Sequence, residues 1–234
     1  MSIICGADGC RAGWLAITKN LGTGAIDCHL FATAKELIHN SSAPFVIALD
    51  IPIGLPERGP RDCDLRVRRI LGQGRASSVF PAPTRPVLAA TSYNAACGIR
   101  FKEEGKKLSR QSWGIVQKIR DVDQVLCQDL NLQSRVREVH PELSFFTLAG
   151  GRPMRYSKKK KEGKDERYRL LEPWFGQALQ TVLKQRKHLA STEDDILDAF
   201  ATLWTAERIA SGIARTIPSL PPKDTHGLRM EIIT

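Results

Sequence analysis

The segment FVIALD at residues 45–50 constrains the fold most, because it is almost uniformly apolar up to its last residue. A run of this kind is typical of a central strand that is buried on both faces of a sheet. Before it comes a short helix over AKELIHN, which Thr33 can cap and for which Glu36 can complete a capping box. Three earlier segments have the pattern of strands in an antiparallel meander: 2–8, 14–18 and 25–31. The sequence therefore predicts an α/β fold with a mixed sheet.

Residues 51–130 have a different character, with proline-rich loops around predicted helices near 86–98 and 109–130. We interpret this stretch as a helical and loop insertion within a single domain that spans residues 1–234. Apolar residues at helical spacing in the second of these helices favour a core-facing stripe: Ile115, Ile119, Val122 and Leu126.

The chain resumes the sheet pattern after the insertion. Residues 134–141 predict a further strand, EDDILDAFATLWTAERIASG is the clearest helix, and 227–233 predict a closing edge strand.

Composition limits the partners that we expect. The formal net charge of +10 favours anionic partners such as nucleic acid, whereas an aromatic content of 6% makes extended base-stacking platforms a poor expectation. Six cysteines without a C-x-x-C pair favour reduced core thiols. The sequence shows no signal-peptide pattern and no apolar run of about 20 residues, so we expect no membrane association and a cytoplasmic location.

Acidic residues stand at the ends of the predicted strands and at the start of the clearest helix. Asp8, Asp50 and Glu138 each follow an apolar run, and Asp195 and Asp198 lie three residues apart in the first turns of the helix. Each acid alone has a structural explanation, as a turn, strand-surface or helix-capping residue. Together they predict a hard-oxygen site for Mg²⁺ or Mn²⁺. Two such ions can activate a water and stabilise the leaving oxygen in phosphodiester hydrolysis.

The chain resembles the ribonuclease H-like superfamily in its order of meander, helix, central strand and terminal acidic helix. The D-x-x-D-A motif at Asp195–Ala199 is similar to the last helix of Holliday-junction resolvases of that fold. More closely, the chain resembles a family of uncharacterised prokaryotic proteins regarded as predicted nucleases with this fold. The resemblance rests on these segments: GADGCRAGWLA, ALDIPIGLP, residues 66–85, EVHPELSF, SKKKKEG, DDILDAFATLWTAERIASG and DTHGLRMEI.

The resemblance implies a ribonuclease H-like fold and a two-metal nuclease. It also implies catalytic metal ligands at five positions: Asp8, Asp50, Glu138, Asp195 and Asp198. Ribonuclease H proper has an acid on its first helix. Here Glu36 is the only acid there, and its role as a capping partner favours the resolvase-like variant.

Basic residues near these segments are candidates for contacts with substrate phosphates. They are Arg11, Arg66, Arg85, Lys158 and Lys159. Phe80 could stack there, although core packing is the commoner role of such a ring.

Three functions remain open on the sequence. The leading hypothesis is a metal-dependent nuclease acting on DNA or RNA, and a branched junction as substrate would favour a homodimer. A non-catalytic nucleic-acid-binding module would use the acids only as turn and cap residues. An actin-like nucleotide-binding protein is disfavoured, because 234 residues leave little room for the duplicated domain of that fold.

Overall fold

A five-stranded mixed sheet forms the centre of a computed structural model that describes residues 2–234. Its strands are β1 (Ile3–Cys10), β2 (Gly13–Asn20), β3 (Ile26–Phe31), β4 (Val46–Leu49) and β5 (Val136–Glu138). Their spatial order is β3-β2-β1-β4-β5. The first three pair antiparallel, and β4 and β5 extend the sheet in parallel with β1. The mixed sheet predicted from the sequence is confirmed.

Seven α-helices in the described residues accompany the sheet. They are α1 (Ala34–Ile38), α2 (Asp62–Arg75), α3 (Tyr93–Glu104), α4 (Arg110–Gln128), α5 (Pro141–Leu148), α6 (Lys161–Gln185) and α7 (Glu193–Ala210). Short 3₁₀ turns lie at 76–78, 85–89 and 130–134. None of the helices among residues 2–234 is long and apolar enough to cross a membrane.

Three sequence predictions were wrong in their boundaries. The strand expected over 134–141 is only β5, because a 3₁₀ turn ends at Ser134 and α5 begins at Pro141. The helix expected near 86–98 is a 3₁₀ turn followed by α3, because Ser92 is extended and its hydroxyl accepts a hydrogen bond from the Ala95 backbone N–H. The closing strand expected over 227–233 is only β7 (Ile232–Ile233). It pairs with β6 (Thr216–Ile217) in a separate two-stranded sheet.

The central strand β4 is buried on both faces, as its apolar sequence predicts. Val46 and Ala48 belong to a hydrophobic cluster with residues of α6 and α7. Ile47 and Leu49 alternate with them and belong to a second cluster with residues of α1 and α4. The sheet is therefore covered by helices on both sides. The apolar stripe of α4 supplies part of the second layer.

Gly6 allows α7 to lie directly on β1. A Cβ at this position would fall well inside van der Waals contact of the Leu203 backbone. We expect Gly6→Ala to lower the free energy of unfolding by about 3 kcal/mol, because β1 and α7 would have to separate.

Gly114 in α4 is the matched control, since an added Cβ would meet nothing within 4 Å. Gly114→Ala should raise stability by about 0.5–1 kcal/mol through helix propensity. Urea unfolding of both variants checks the pair, and equal effects would contradict the close approach of α7 to β1.

Candidate active site at the ends of β1 and β4

Three of the predicted acids line one cavity of about 390 Å³. Asp8 lies near the end of β1, Asp50 follows β4, and Asp198 lies in the second turn of α7. Asp8 is 9% exposed and Asp198 is 4% exposed. Residues as much as 190 positions apart in the chain therefore meet at the floor of one pocket.

Strand register brings Asp8 and Asp50 together. Ala7 of β1 is paired with Leu49 of β4, and the Asp50 backbone N–H donates a hydrogen bond to the Ala7 carbonyl at 3.0 Å. Asp8 and Asp50 are therefore next to each other on parallel neighbours. Asp8 shares its strand face with Gly6, two residues earlier, and that face is the one that α7 covers. The packing of α7 on β1 thus supplies Asp198 to the same place.

One of the three carboxylates pairs with a lysine. Lys158 Nζ donates to Asp198 Oδ2 at 2.6 Å. Attraction by Asp198, together with Asp50 and Asp8, raises the pKa of Lys158 above its usual range. Burial, reinforced by repulsion from Asp50 and Asp198, raises the pKa of Asp8 well above its usual value. Burial and the Asp198 charge raise the pKa of Asp50 to about 8. Asp8 and Asp50 therefore hold their protons to a higher pH than free carboxyl groups do.

Asp50 makes the metal-free protein sensitive to pH. With a folded pKa of about 8 and an unfolded pKa near 3.9, the folded state keeps a proton that the unfolded state has lost. Stability should therefore fall as pH rises from about 4 to 8. Asp50→Asn, which mimics the protonated form, should raise Tm above the wild-type value by about 5 °C at pH 8 in EDTA, with a smaller gap at pH 5.

Thermal unfolding at both pH values measures this gap. Asp27→Asn, an exposed change on β3, is the control and should leave Tm unaltered. A gap for Asp50→Asn that does not grow with pH would contradict a half-buried, proton-holding Asp50.

Glu138 does not line the cavity, because its carboxylate is bound by Arg61. The Arg61 guanidinium donates to both Glu138 oxygens at 2.7 Å, and the Ile53 backbone N–H donates to one of them at 2.6 Å. Arg61 also bonds Asp64, and all three charged side chains are buried. Burial opposes the charged guanidinium, but Asp64 and Glu138 outweigh it and raise the pKa of Arg61. Glu138 thus lies in a buried ion-pair network with Arg61 and Asp64.

Asp195 caps α7. Its carboxylate accepts the Thr192 backbone N–H at 2.8 Å, and the Thr192 hydroxyl accepts the Asp195 N–H at 3.2 Å. This reciprocal capping box directs the carboxylate to the helix start, and Asp195 does not line the cavity.

The predicted phosphate-binding residues divide in two. Lys158 and Lys159 line the cavity. Arg11, Arg66 and Arg85 do not line it. Arg66 forms an exposed ion pair with Asp62. The Arg85 side chain is only 9% exposed and bonds two carboxylates, those of Asp123 and Asp224.

Further residues line the cavity, among them Phe80, for which the sequence leaves stacking and core packing open. His140 precedes α5, burial lowers its pKa, and among residues 2–234 no group hydrogen-bonds its buried Nδ1. Glu142 accepts from Arg167 at 2.7 Å and lies 3.3 Å from Arg75, so its charge is compensated. Ser77, Ser78 and Phe80 come from the loop after α2. Such loop contributions have no periodicity that a sequence pattern could reveal.

Comparison with known proteins identifies a family for this chain but no activity. A family model described as "Protein of unknown function (DUF429)" matches residues 6–223. No curated protein and no solved structure matches the chain.

Proposed function

The chain belongs to the DUF429 family, whose description assigns no activity, and from the site itself we propose that it is a metal-dependent nuclease. The single observation that carries the proposal is the meeting of Asp8, Asp50 and Asp198 in one cavity. Ionising several neighbouring carboxyl groups in so sheltered a position costs free energy, and a bound cation would offset that cost. The formal net charge of +10 elsewhere on the chain suits a polyanionic substrate.

The three carboxylates have the donor chemistry that Mg²⁺ and Mn²⁺ prefer. Among residues 2–234, however, no three His, Cys, Asp or Glu side chains already form a group that could hold a metal ion. The raised pKa values of Asp8 and Asp50 fit a site where a bound cation would replace the protons that these carboxyl groups hold. We infer that ion binding requires Lys158 to release Asp198. A bound ion would supply an activated water and charge stabilisation in phosphodiester hydrolysis.

The chain's own side chains have distinct tasks in this proposal. Asp8, Asp50 and Asp198 hold positive charge at the floor of the cavity. Lys158, once released from Asp198, and the exposed Lys159 can contact phosphate oxygens. Hydrolysis adds water across one phosphorus–oxygen bond and leaves a phosphate monoester and a hydroxyl end.

Topology supports a ribonuclease H-like fold as part of the proposal. The order β3-β2-β1-β4-β5, with an antiparallel meander beside two parallel strands, is the arrangement that the sequence resemblance leads us to expect. The acids at β1, after β4 and on α7 follow that expectation too. The lack of an acid on α1 in the cavity favours the resolvase-like variant.

A cleavage screen tests the proposal. Labelled single-stranded, duplex, hybrid and branched DNA and RNA would be incubated with purified protein in Mg²⁺, in Mn²⁺ and in EDTA. We expect cleavage of at least one substrate with Mg²⁺ or Mn²⁺ and none in EDTA. Cleavage that persists in EDTA would contradict the proposed chemistry.

A non-catalytic nucleic-acid-binding module is the second candidate. Two observations favour it: the Lys158–Asp198 ion pair already occupies part of the site, and the described residues lack a ready-made metal-ligand group. Metal-independent binding of oligonucleotides, with no cleavage under any condition of the same screen, would identify this function.

A further inference from the structure

The cavity above the three carboxylates is a walled hollow. Its volume of about 390 Å³ lies near the small end of small-molecule pockets, which span about 300–1,000 Å³. The floor is deep, because Asp8 and Asp198 are 9% and 4% exposed. The insertion contributes Ser77, Ser78, Phe80 and Ile115 to its lining, and Lys158 and Lys159 contribute from the segment before α6. A ligand must therefore enter the hollow to bring a phosphate near the floor.

Phe80 presents an apolar ring on a fixed loop beside this acidic floor. The ring residue is 44% exposed, although its neighbour Val79 is buried. The Val79 carbonyl accepts from Arg68 at 2.6 Å, and the Pro81 carbonyl accepts from the Ser112 hydroxyl at 3.0 Å. The loop is thus tied down on both sides of Phe80. An exposed ring that needs no further ordering is suited to stack on a flat apolar face, and every nucleobase has one.

A paired nucleotide fits this arrangement poorly. Its base is held in the stack, and proteins reach such a base only by extruding it or by using single strands. A nucleotide in a rigid duplex is held by its partner strand and its stacked neighbours, so it cannot enter a hollow of about 390 Å³ by itself. An unpaired nucleotide has no partner strand, so its base and phosphate can enter the hollow together.

We propose that the cavity takes one unpaired nucleotide at a time, with its base against Phe80 and its phosphate directed to the carboxylate floor. This inference rests on the proposed nuclease function and narrows its substrates to single strands and unpaired ends. The strand that leaves the hollow would pass Lys159, which is followed by the exposed Lys160 and Lys161.

Three DNA substrates of one sequence test the proposal: a single strand, a blunt duplex, and the duplex with a single-stranded tail. In Mn²⁺ we expect the single strand and the tail to be cleaved at least about tenfold faster than the paired region. A blunt duplex cleaved internally as fast as the single strand would overturn the inference and leave the nuclease function standing.

The Phe80→Ala variant and AMP binding separate the two proposals. Phe80→Ala should weaken AMP binding in Mn²⁺ about tenfold, as measured by calorimetry. The control Phe101→Ala, which removes a 59% exposed ring on α3 outside the cavity, should not. AMP binding that depends on Phe80 without cleavage of any substrate would support the nucleotide pocket and reject the nuclease. Equal AMP binding by wild type and Phe80→Ala, or no AMP binding, would overturn the pocket assignment.

Discussion

Asp8→Asn is expected to lower Mn²⁺-dependent cleavage by about 10³-fold while the protein stays folded and is no less stable than wild type. Asp8 is buried beside Asp50 and Asp198, whose charges disfavour its ionised form, so the change removes a carboxyl group that is costly to ionise. An isosteric amide keeps the packing at the end of β1 but weakens the attraction for a divalent cation. Initial cleavage rates and Tm in EDTA measure the two effects on the same preparation.

Asp195→Asn is the matched control, because Asp195 caps α7 and does not line the cavity. We expect a loss of about 1 kcal/mol in stability and less than a tenfold loss in cleavage rate. Cleavage retained by a rigorously purified Asp8→Asn protein would rule out the proposed site. If Asp195→Asn lowered the cleavage rate as much as Asp8→Asn, Asp195 would belong to the catalytic residues.

Arg61→Met is expected to produce the largest loss of stability, about 3–5 kcal/mol and about 10 °C in Tm. Arg61 is 3% exposed, and its removal leaves Glu138 and Asp64, at 4% and 2% exposure, without their shared counter-charge. Thermal and urea unfolding measure the loss.

Arg66→Met is the control for this prediction, since Arg66 forms an exposed pair with Asp62 on the same helix, α2, and should cost less than about 0.5 kcal/mol. Glu138→Gln introduced into Arg61→Met should recover part of the stability, because it removes one unpaired charge. Equal losses in the two single variants would show that the buried network does not stabilise the fold.

The role of Glu138 in this network is tested by the variant Glu138→Gln. If Glu138 serves Arg61, Glu138→Gln lowers stability and leaves Mn²⁺ affinity close to that of wild type. If it is a metal ligand, as the sequence resemblance implies, Mn²⁺ affinity falls as well.

The sequence points to the three acids that meet in the cavity, because strand ends are visible in a hydrophobic pattern. The apolar run before Asp50 locates β4, and the run before Asp8 locates β1, which lies next to it in parallel. Parallel neighbours bring such ends to one edge of a sheet, so two acids at strand ends predict a shared position. The helix periodicity of α7 adds Asp198.

The side chains whose roles the sequence does not predict depend on partners that are distant in the chain. Glu138 pairs with Arg61, 77 residues away, and no local pattern indicates that pair. Arg85 likewise binds Asp123 and Asp224, so its charge is taken up inside the protein. The cavity wall at Phe80 comes from a loop, whose path depends on tertiary contacts and not on residue periodicity.

The central claim is that Asp8, Asp50 and Asp198 together bind one or more divalent cations. The most direct measurement is anomalous diffraction from crystals soaked in Mn²⁺, recorded near the manganese absorption edge for wild type and for Asp8→Asn. We expect a strong anomalous peak among the three carboxylates of the wild type, with Lys158 displaced from Asp198, and a much weaker peak in the variant. A wild-type pocket without Mn²⁺ at saturating concentration, with Lys158 still bonded to Asp198, would contradict the claim.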